Sequence, residues 1–193
     1  MRMETDRIRL RPWKEEDLSD FRTLNADKDV MRFFPAPLTA EESDKLADSF
    51  QHGMLRHGFG IWVLELPGHS SFAGVVGLNV PSFDNSLVEV SWRLHKAFWG
   101  HGFATEAAAV ALETGFSFFS LETICSFTAR LNVPSEKVMQ RLGMEHCPED
   151  EFDHPALPVG HPLSRHILYR MTKRRWKEHK KNFPFLDHLH ISF

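Results

Sequence analysis

Near the middle of the chain, the spacing of hydrophobic residues changes from every second position to every third or fourth position. From Leu87 to Leu94 apolar and polar side chains alternate, which predicts a strand. After Gly102 small and apolar residues recur at helical spacing as far as Phe119, which predicts a long alanine-rich helix. Because the buried face of that helix carries mostly small side chains, we expect it to lie unusually close to a sheet.

The same patterns predict further elements on both sides of this pair. Strands are predicted over residues 5–13, 58–65, 71–80, 123–131, 144–152 and 164–172. Helices are predicted over residues 14–25, from Thr39 to about Arg56, and from Pro134 to just before Gly143. Thr39 and Glu42 have the spacing of a capping box, which supports the start of the second of these helices.

Length, charge and cysteine content restrict the class of protein. A chain of 193 residues supports one domain with a substantial core, which we place at residues 1–181 ahead of an apolar tail at residues 182–193. A net charge of −3 argues against a dedicated nucleic-acid binder. The two cysteines make no disulfide framework, and we recognise neither a signal peptide nor an apolar stretch long enough to span a membrane. We therefore expect a cytoplasmic protein.

Two glycines, Gly100 and Gly102, stand where the predicted strand gives way to the helix. The first turn of a helix has unpaired backbone N–H groups and an electropositive end, and glycine lets an anion approach that backbone closely. The junction therefore fits a phosphate or a pyrophosphate, although a tight strand–helix turn explains the same residues. The glycine spacing matches neither the Walker A loop nor the dinucleotide fingerprint.

Several segments together resemble one enzyme family. The run W-G-H-G-F-A-T-E-A, which begins at Trp99 and follows the strand V-E-V-S-W-R-L, resembles the acyl-CoA motif of the GNAT superfamily of N-acetyltransferases. Residues 132–144 are similar to a second motif of that family, N-x-x-S followed by L-G-M. The tryptophan itself, D-H-P at residues 153–155 and R-H-I-L-Y-R at residues 165–170 resemble one branch, the ribosomal-protein N-terminal alanine and serine acetyltransferases.

This resemblance implies a mixed α/β (α+β) fold of the GNAT type. Its central twisted sheet is largely antiparallel, with about seven strands flanked by about four helices. The sheet is splayed between the fourth strand, here residues 87–94, and the fifth strand, here residues 123–131. The implied activity is acetyl transfer from acetyl-CoA to a primary amine by direct attack in a ternary complex, and the branch implies a protein N-terminal α-amine.

The resemblance also implies which residues hold acetyl-CoA. Backbone amides from Trp99 to Ala104 are expected to bind the pyrophosphate, and a protonated His101 adds positive charge there. Exposed backbone on the signature strand and the side chain of Asn132 are expected to bind the pantetheine arm. The implied acetyl-CoA residues are Trp92, Leu94, Trp99, Gly100, His101, Gly102, Phe103, Ala104 and Asn132.

The chemistry of transfer predicts a base and an acid. An α-amine with a pKa of about 7.7–8 needs less help to lose its proton than a lysine amine near 10.4. Glu89 on the signature strand is the first candidate base, against the alternative that it pairs with an arginine such as Arg93. Asp153 and His154 are second candidates near the substrate, although a histidine in a loop often serves only as a hydrogen-bonding group.

The leaving thiolate needs a proton donor, for which most members of the family are credited with a tyrosine. The only tyrosine, Tyr169, lies outside that place in the sequence. Ser135 matches the serine of the resembled branch and is the candidate donor, with the alternative that it is only a polar residue at a helix start.

Phe33 and Phe34 lie in an aromatic loop between the first two predicted helices, which covers the acceptor site in the family. They are candidate substrate-wall residues, or they fill the core beneath the helices. None of the twelve histidines has the spacing of a metal motif, so we expect no metal.

Three other functions remain open. Acetylation of a polyamine or an aminoglycoside is one, although such polycations need an acidic pocket. A non-catalytic acyl-CoA-binding module is the second. The third is binding to RNA or the ribosome through the basic segment at residues 173–181, which more often forms a solvated helix face. The apolar tail is expected to contact either the core of its own chain or a second copy in a homodimer.

Overall fold

The computed structural model describes the whole chain from Met1 to Phe193. It contains ten strands and five α-helices, joined by short 3-10 turns. In chain order the elements are β1 (Arg2–Glu4), β2 (Arg9–Arg11), α1 (Asp17–Ala26), α2 (Ala40–His57), β3 (Ile61–Leu66), β4 (Ser70–Asn79), β5 (Glu89–Leu94), α3 (Phe103–Ser117), β6 (Thr123–Ala129), α4 (Val133–Arg141), β7 (Glu145–His146), β8 (Phe152–Asp153), β9 (Arg165–Thr172), α5 (Lys173–His179) and β10 (His190–Ser192).

All strands belong to one sheet, in the order β10-β1-β2-β3-β4-β5-β6-β9-β7, with β8 beside β9. Every pairing is antiparallel except that of β5 with β6, which is parallel and joins only Glu89 with Cys125. Beyond that single pair the two strands diverge. The predicted mixed fold with a splayed, largely antiparallel sheet is therefore confirmed, with ten strands instead of about seven.

Two predicted strands differ in the structure. The strand predicted over residues 5–13 is reduced to β2, because its first residues form a tight turn at Asp6 and Arg7, closed by a hydrogen bond of 3.0 Å from the Thr5 N–H to the Ile8 carbonyl. Strand β1 lies before that turn and was not predicted. The strand predicted over residues 144–152 becomes β7 and β8 around a 3-10 turn that begins at Pro148. Proline has no N–H for a strand ladder, which explains the second interruption.

The sheet separates two layers of helices. On one face, α1 and α2 cover a core cluster that includes Phe21, Ile61 and Val75. On the other face, the larger core lies beneath α3, α4 and α5 and includes Leu112 and Trp176. The predicted capping box of α2 is present, since the Thr39 hydroxyl accepts from the Glu42 N–H at 3.2 Å.

The close approach predicted for α3 is confirmed at Gly115. A Cβ atom at that position would lie 2.7 Å from the Cδ1 atom of Ile124 on β6. A glycine is therefore required for α3 to lie this near the sheet. The position of α3 matters for the site, because its first turn then opens at the edge of the gap between β5 and β6.

The apolar tail packs against its own chain. Strand β10 pairs with β1, and Ile191 lies opposite Met3 in that ladder. Leu186, Leu189 and Ile191 also contact the larger core. The length and apolar content that a bilayer-crossing helix requires are not reached by any helix of the structure.

Candidate active site

A cavity of about 1140 Å³ opens where β5 and β6 diverge. It extends from the loop before α3, across the gap in the sheet, to the loop between α1 and α2. All but one of the residues that the sequence predicted for the site line this cavity: Phe33, Phe34, Glu89, Trp92, Leu94, Trp99, Gly100, His101, Gly102, Phe103, Ala104, Asn132, Ser135 and His154. The exception is Asp153.

The loop before α3 presents a row of free backbone donors. The backbone N–H groups from Gly100 to Thr105 donate to no acceptor of the protein. Gly100 and Gly102 adopt φ angles of 81° and 83°, in the left-handed region that favours glycine. These N–H groups stand at the positive end of α3, so the loop can bind a doubly charged anion such as a pyrophosphate.

Trp99 has a different role in this loop from its neighbours. Its backbone N–H donates to the Lys96 carbonyl at 3.1 Å and is therefore not available to an anion. Its indole N–H donates to the Leu94 carbonyl at 2.9 Å, which ties the loop to the end of β5. Trp99 thus fixes the position of the donor row.

Cations surround the donor row. Lys137 and Arg141 on α4 line the cavity, are exposed and form no ion pair. Arg7 lies beneath the loop, where its guanidinium is paired with the buried Glu106 and donates to the His101 carbonyl at 3.3 Å. This link between the N-terminal turn and α3 was not predicted from the sequence, because the two residues are far apart in the chain.

The strand register determines what faces the gap. The His95 N–H donates to the Ala73 carbonyl on β4, and the Val88 carbonyl accepts from Cys125 on β6. Because backbone groups alternate in direction along a strand, the N–H and C=O groups of Trp92 and Leu94 point toward β6, into the gap. The exposed strand backbone predicted for the pantetheine arm is therefore at the widening part of the splay.

Asn132 and Ser135 form one small network at the start of α4. The Asn132 amide donates to the Thr128 hydroxyl at 2.9 Å and to the Ser135 hydroxyl at 3.0 Å. Its carbonyl oxygen caps the helix by accepting from the Ser135 N–H. Since the Ser135 oxygen accepts from Asn132, its own hydrogen is free to be donated into the cavity. Both amide hydrogens of Asn132 are already used, so its amide group serves to orient the serine.

Glu89 lies half-buried in the cavity wall, and its carboxylate forms no hydrogen bond and no ion pair with any residue. Burial raises the pKa of Glu89 to about 8. The alternative that this carboxylate pairs with Arg93 is wrong: the two residues are four positions apart on β5, and Arg93 has other contacts.

Arg93 projects from β5 toward the helices of the other layer. Its guanidinium donates to the side-chain oxygen of Asn25 on α1, and it lies 4.3 Å from the centre of the Phe34 ring. It forms no ion pair with any carboxylate of the chain. Burial lowers the pKa of Arg93 to about 10, so the group remains charged at neutral pH. The sequence pattern placed Arg93 on a strand, but nothing in it showed that its partner would be neutral.

Two histidines lie side by side in the wall formed by β6 and β9. The rings of His154 and His166 are 4.9 Å apart, and burial lowers the pKa of each. The Nδ1 atom of His154 accepts from the Ala156 N–H at 3.2 Å, so the neutral ring carries its proton on Nε2. In that form His154 is a donor toward the cavity and not a base. The sequence did not predict His166 as a residue of the cavity wall, because its spacing from other polar residues matches no motif.

Asp153 was predicted near the substrate, and the structure does not support that placement. Its side chain is 72% exposed and lies 4.0 Å from Arg165. Pairing of β8 with β9 directs alternate side chains to opposite sides, which puts Phe152 inward and Asp153 outward. Asp153 therefore contributes nothing to the cavity wall.

The aromatic loop lies at the edge of both the cavity and the core. Phe33 and Phe34 line the cavity, and Phe34 also packs against the core cluster beneath α1 and α2. Arg32 lies over the ring of Phe33 and over Trp99, with distances of 4.7 and 5.4 Å to the ring centres. Arg32 thus connects the aromatic loop to the loop before α3.

Other groups with catalytic chemistry lie away from the cavity. The Tyr169 hydroxyl donates to Glu136 at 2.9 Å, and this buried residue does not line the cavity. Burial raises the pKa of the Cys125 thiol to about 12, so it is a poor nucleophile. The single cluster with the side chains of a metal site is formed by Cys147, Glu149 and Asp150, outside the cavity.

Comparison with known proteins identifies the family to which these features belong. A family model described as an acetyltransferase (GNAT) domain matches residues 7–145. The uncharacterised N-acetyltransferase YnaD of Bacillus subtilis is 25% identical over 179 residues, which cover 91% of this chain and 99% of the relative. The spermidine N(1)-acetyltransferase of Escherichia coli K12 is 28% identical over 138 residues, which cover 70% of this chain and 72% of the relative.

The fold has close counterparts among solved structures. The crystal structure of a GNAT-family acetyltransferase from Bacillus anthracis superposes with a TM-score of 0.74 at 22% identity. The match covers 90% of this chain and 99% of that chain. At this identity the likeness concerns the fold alone.

Proposed function

The chain belongs to the acetyltransferase (GNAT) domain family, and on that premise we propose that it transfers the acetyl group of acetyl-CoA directly to a primary amine while both substrates occupy the cavity. One observation carries this proposal. The row of unpaired N–H groups from Gly100 to Thr105 and the unpaired carboxylate of Glu89 open into the same cavity, on either side of the splayed strands.

The residues present fit acetyl-CoA. The donor row and the free cations Lys137 and Arg141 suit its phosphates, and the backbone of Trp92 and Leu94 suits its amide-rich arm. The acyl donor supplies the activated thioester. The chain's own contribution is to hold the donor by backbone groups and to leave Glu89 and Ser135 facing the space beside it.

Glu89 is the proposed base, and its pKa favours an acceptor of matching basicity. An α-amine has a pKa of about 7.7–8, close to that of Glu89, so the proton passes between them at almost no cost in free energy. An amine with a pKa near 10.4 would lose its proton to the same carboxylate at a cost of about 3 kcal/mol. This match supports a protein N-terminal α-amine as the acceptor.

Ser135 is the proposed proton donor to the departing thiolate. Its hydroxyl hydrogen is free and its oxygen is held by Asn132, so the donor direction is fixed. Because a serine hydroxyl is a weak acid, we propose that it stabilises the thiolate by a hydrogen bond.

The alternative acceptors are less compatible with the cavity. A relative acts on spermidine by name, but the carboxylates that line this cavity are Asp29, which is paired with Lys96, and Glu89. A polycation would meet more positive than negative charge there. Binding of RNA through the segment at residues 173–181 has no support from the cavity, and three of its cations pair with Glu122, Glu145 and Glu113.

A panel of amines tests the proposal. Short peptides with a free N-terminus, polyamines and an aminoglycoside are each incubated with acetyl-CoA, and release of free thiol is measured. We expect turnover of peptides, with kcat rising with pH through about 8 as Glu89 loses its proton. Glu89→Gln should remove that limb and lower kcat by about 10²–10⁴-fold. Binding of acetyl-CoA without turnover of any amine would instead indicate a non-catalytic module.

A further inference from the structure

We infer that the amine acceptor carries a carboxylate and that the guanidinium of Arg93 binds it. This inference rests on the proposed function, since it concerns the acceptor half of the same cavity. It goes further by assigning a charge to the substrate and a specificity-determining role to a residue.

The first observation is that Arg93 is a half-buried cation without an anionic partner. Its contacts are the side-chain oxygen of Asn25 and the face of the Phe34 ring, both of which are neutral. A guanidinium has five N–H donors in a planar fork, and Asn25 uses only one side of it. Burying a charge is costly unless it is paired, so an anion entering the cavity would complete this site.

The guanidinium is held in place from behind. The Asn25 amide donates to the Ser43 hydroxyl at 3.2 Å, which joins α1 to α2 and leaves the amide oxygen facing Arg93. Both Asn25 and Ser43 are fully buried. Arg93 is therefore oriented by a rigid pair of helices and does not move freely as an exposed arginine does.

The second observation is the charge of the cavity wall. Four cations line it without an ion pair: Arg32, Arg93, Lys137 and Arg141. The only carboxylates in the wall are Asp29, which is paired with Lys96, and Glu89. Lys137 and Arg141 lie on α4, and Arg32 lies over Trp99 next to the donor row, which leaves Arg93 as the unpaired cation on the side of α1 and Phe34.

The third observation is the position of Arg93 relative to Glu89. The side chains of Glu89, Ser91 and Arg93 project from the same face of β5. The contacts of Arg93 show that this face of the strand is turned toward α1 and the aromatic loop. Glu89 and Arg93 are four residues apart, so their Cα atoms are about 13 Å apart along the strand. An acceptor that reaches both has its amine and its carboxylate separated by several bonds, as in a peptide whose N-terminal α-amine is followed at some distance by an acidic side chain.

The test uses the full chain and two matched series of acceptors. One series contains short peptides with a free N-terminus, a glycine spacer of increasing length, a single Glu and a blocked C-terminus, and the other contains Gln in place of the Glu. The readout is the ratio of kcat/KM for each acid to that of its amide. Because the two members of a pair have the same N-terminal α-amine, the ratio reports the side-chain carboxylate, and it is compared between the wild type and Arg93→Gln at each length.

We expect the wild type to favour the acid most strongly at intermediate or greater length. Arg93→Gln should lower the acid-to-amide ratio by about 10- to 100-fold, the effect of a lost hydrogen bond to a charged group. Arg93→Lys, which keeps the charge but not the fork, should retain part of the ratio. Lys137→Gln removes the same charge from another part of the wall and should leave the ratio unchanged.

Two results would overturn the inference. One is an acid-to-amide ratio that is the same in the wild type and in a folded Arg93→Gln, which would assign Arg93 to structure alone. The other needs no variant: amides that are turned over as well as their acids at every length by the wild type. If either occurs while peptides are still acetylated, the proposed function stands. If no amine of any kind releases thiol, the proposed function fails together with this inference.

Discussion

At the scale of single residues, the cavity contains two ionisable groups, Glu89 and Arg93, whose pKa values are shifted by burial. Burial raises the pKa of Glu89 to about 8, so the folded chain holds its proton more tightly than the unfolded chain does. The stabilising effect of that proton is complete below the unfolded pKa and is lost as the pH rises through about 8. Glu89 therefore makes the folded state less stable at alkaline pH.

Glu89→Gln should reverse this loss. We expect the variant and the wild type to be similarly stable at pH 5 or below, and the variant to be more stable at pH 9 by about 1–2 kcal/mol. The full pKa shift would give roughly 5 kcal/mol, but water reaches the carboxyl group through the cavity and reduces the effect. Urea unfolding at several pH values measures it. Glu15→Gln, at an exposed position without an ion pair, is the control that should show no such gain.

Ser135→Ala should separate chemistry from binding. Loss of the hydroxyl removes the proposed donor to the thiolate, so kcat should fall about 10- to 100-fold. The backbone groups that we propose for acetyl-CoA are unaffected, so the affinity measured by calorimetry should stay within about threefold, well under the change that one lost hydrogen bond brings. Ser117→Ala, which removes an exposed hydroxyl on α3, is the matched control. An unchanged kcat in Ser135→Ala would remove this residue from the mechanism.

At the scale of elements, the junction of β5 and α3 combines two features that are separately common. A glycine turn and a helix N-terminus each occur in many folds, but here the turn leaves the backbone N–H groups from Gly100 to Thr105 without acceptors. The splay of β5 from β6 then brings strand backbone to the same opening. The opening lined by free backbone groups is therefore a property of the packing of three elements around one gap.

Gly102→Leu tests this junction. A Cβ at Gly102 would lie 3.6 Å from a guanidinium nitrogen of Arg7, within the loop that carries the donor row, and we expect acetyl-CoA affinity to fall by at least about 100-fold, the equivalent of two or more lost hydrogen bonds to charge. Gly68→Leu is the control for backbone strain, because Gly68 has a φ of 77° in the β3–β4 turn and no atom within 4 Å of where its Cβ would stand. Both variants should lose roughly 1–2 kcal/mol of stability from left-handed backbone. Equal affinities in the two variants would show that the cradle is elsewhere.

At the scale of the whole molecule, the chain ends are joined through the edge of the sheet. The β10–β1 ladder covers the edge of β1, and the tail contacts the larger core through Leu186, Leu189 and Ile191. We propose that residues 1–181 form the acetyltransferase domain and that the tail is a stabilising strand added to it. No residue after His166 lines the cavity, so the tail has no direct contact with the site.

Removal of residues 190–193 tests whether the tail stabilises the fold without affecting the site. We expect the melting temperature to fall by roughly 3–6 °C, since a loss of about 1–2 kcal/mol has this effect in a chain of this size. Acetyl-CoA affinity at a temperature well below the transition should be unchanged. Phe193→Ala is the control, because Phe193 is 91% exposed and lies beyond the ladder. A loss of affinity in the truncated chain would instead couple the tail to the cavity.

Local pattern was enough to predict most elements and the glycine turn whose backbone N–H groups are unpaired. The alternation over β5, the small residues of α3 and the glycines of the turn are short-range features, and each has a direct physical consequence for the backbone. Such consequences do not depend on distant residues. The predicted strands failed at residues 5–13 and 144–152, where a turn and a proline interrupt segments that keep their hydrophobic content.

The acceptor half of the site was decided by tertiary structure. The sequence could not show that Arg93 faces Asn25 and Phe34, or that Glu89 stays unpaired, because these contacts join residues far apart in the chain. The sequence also could not show that Asp153 points outward, because the register of β8 on β9 depends on the 3-10 turn that precedes β8. Charge and burial are properties of the assembled cavity. The sequence by itself therefore determined the fold and the glycine turn before α3, because both follow from short-range patterns, and packing alone determined which ionisable side chains stay unpaired in the cavity.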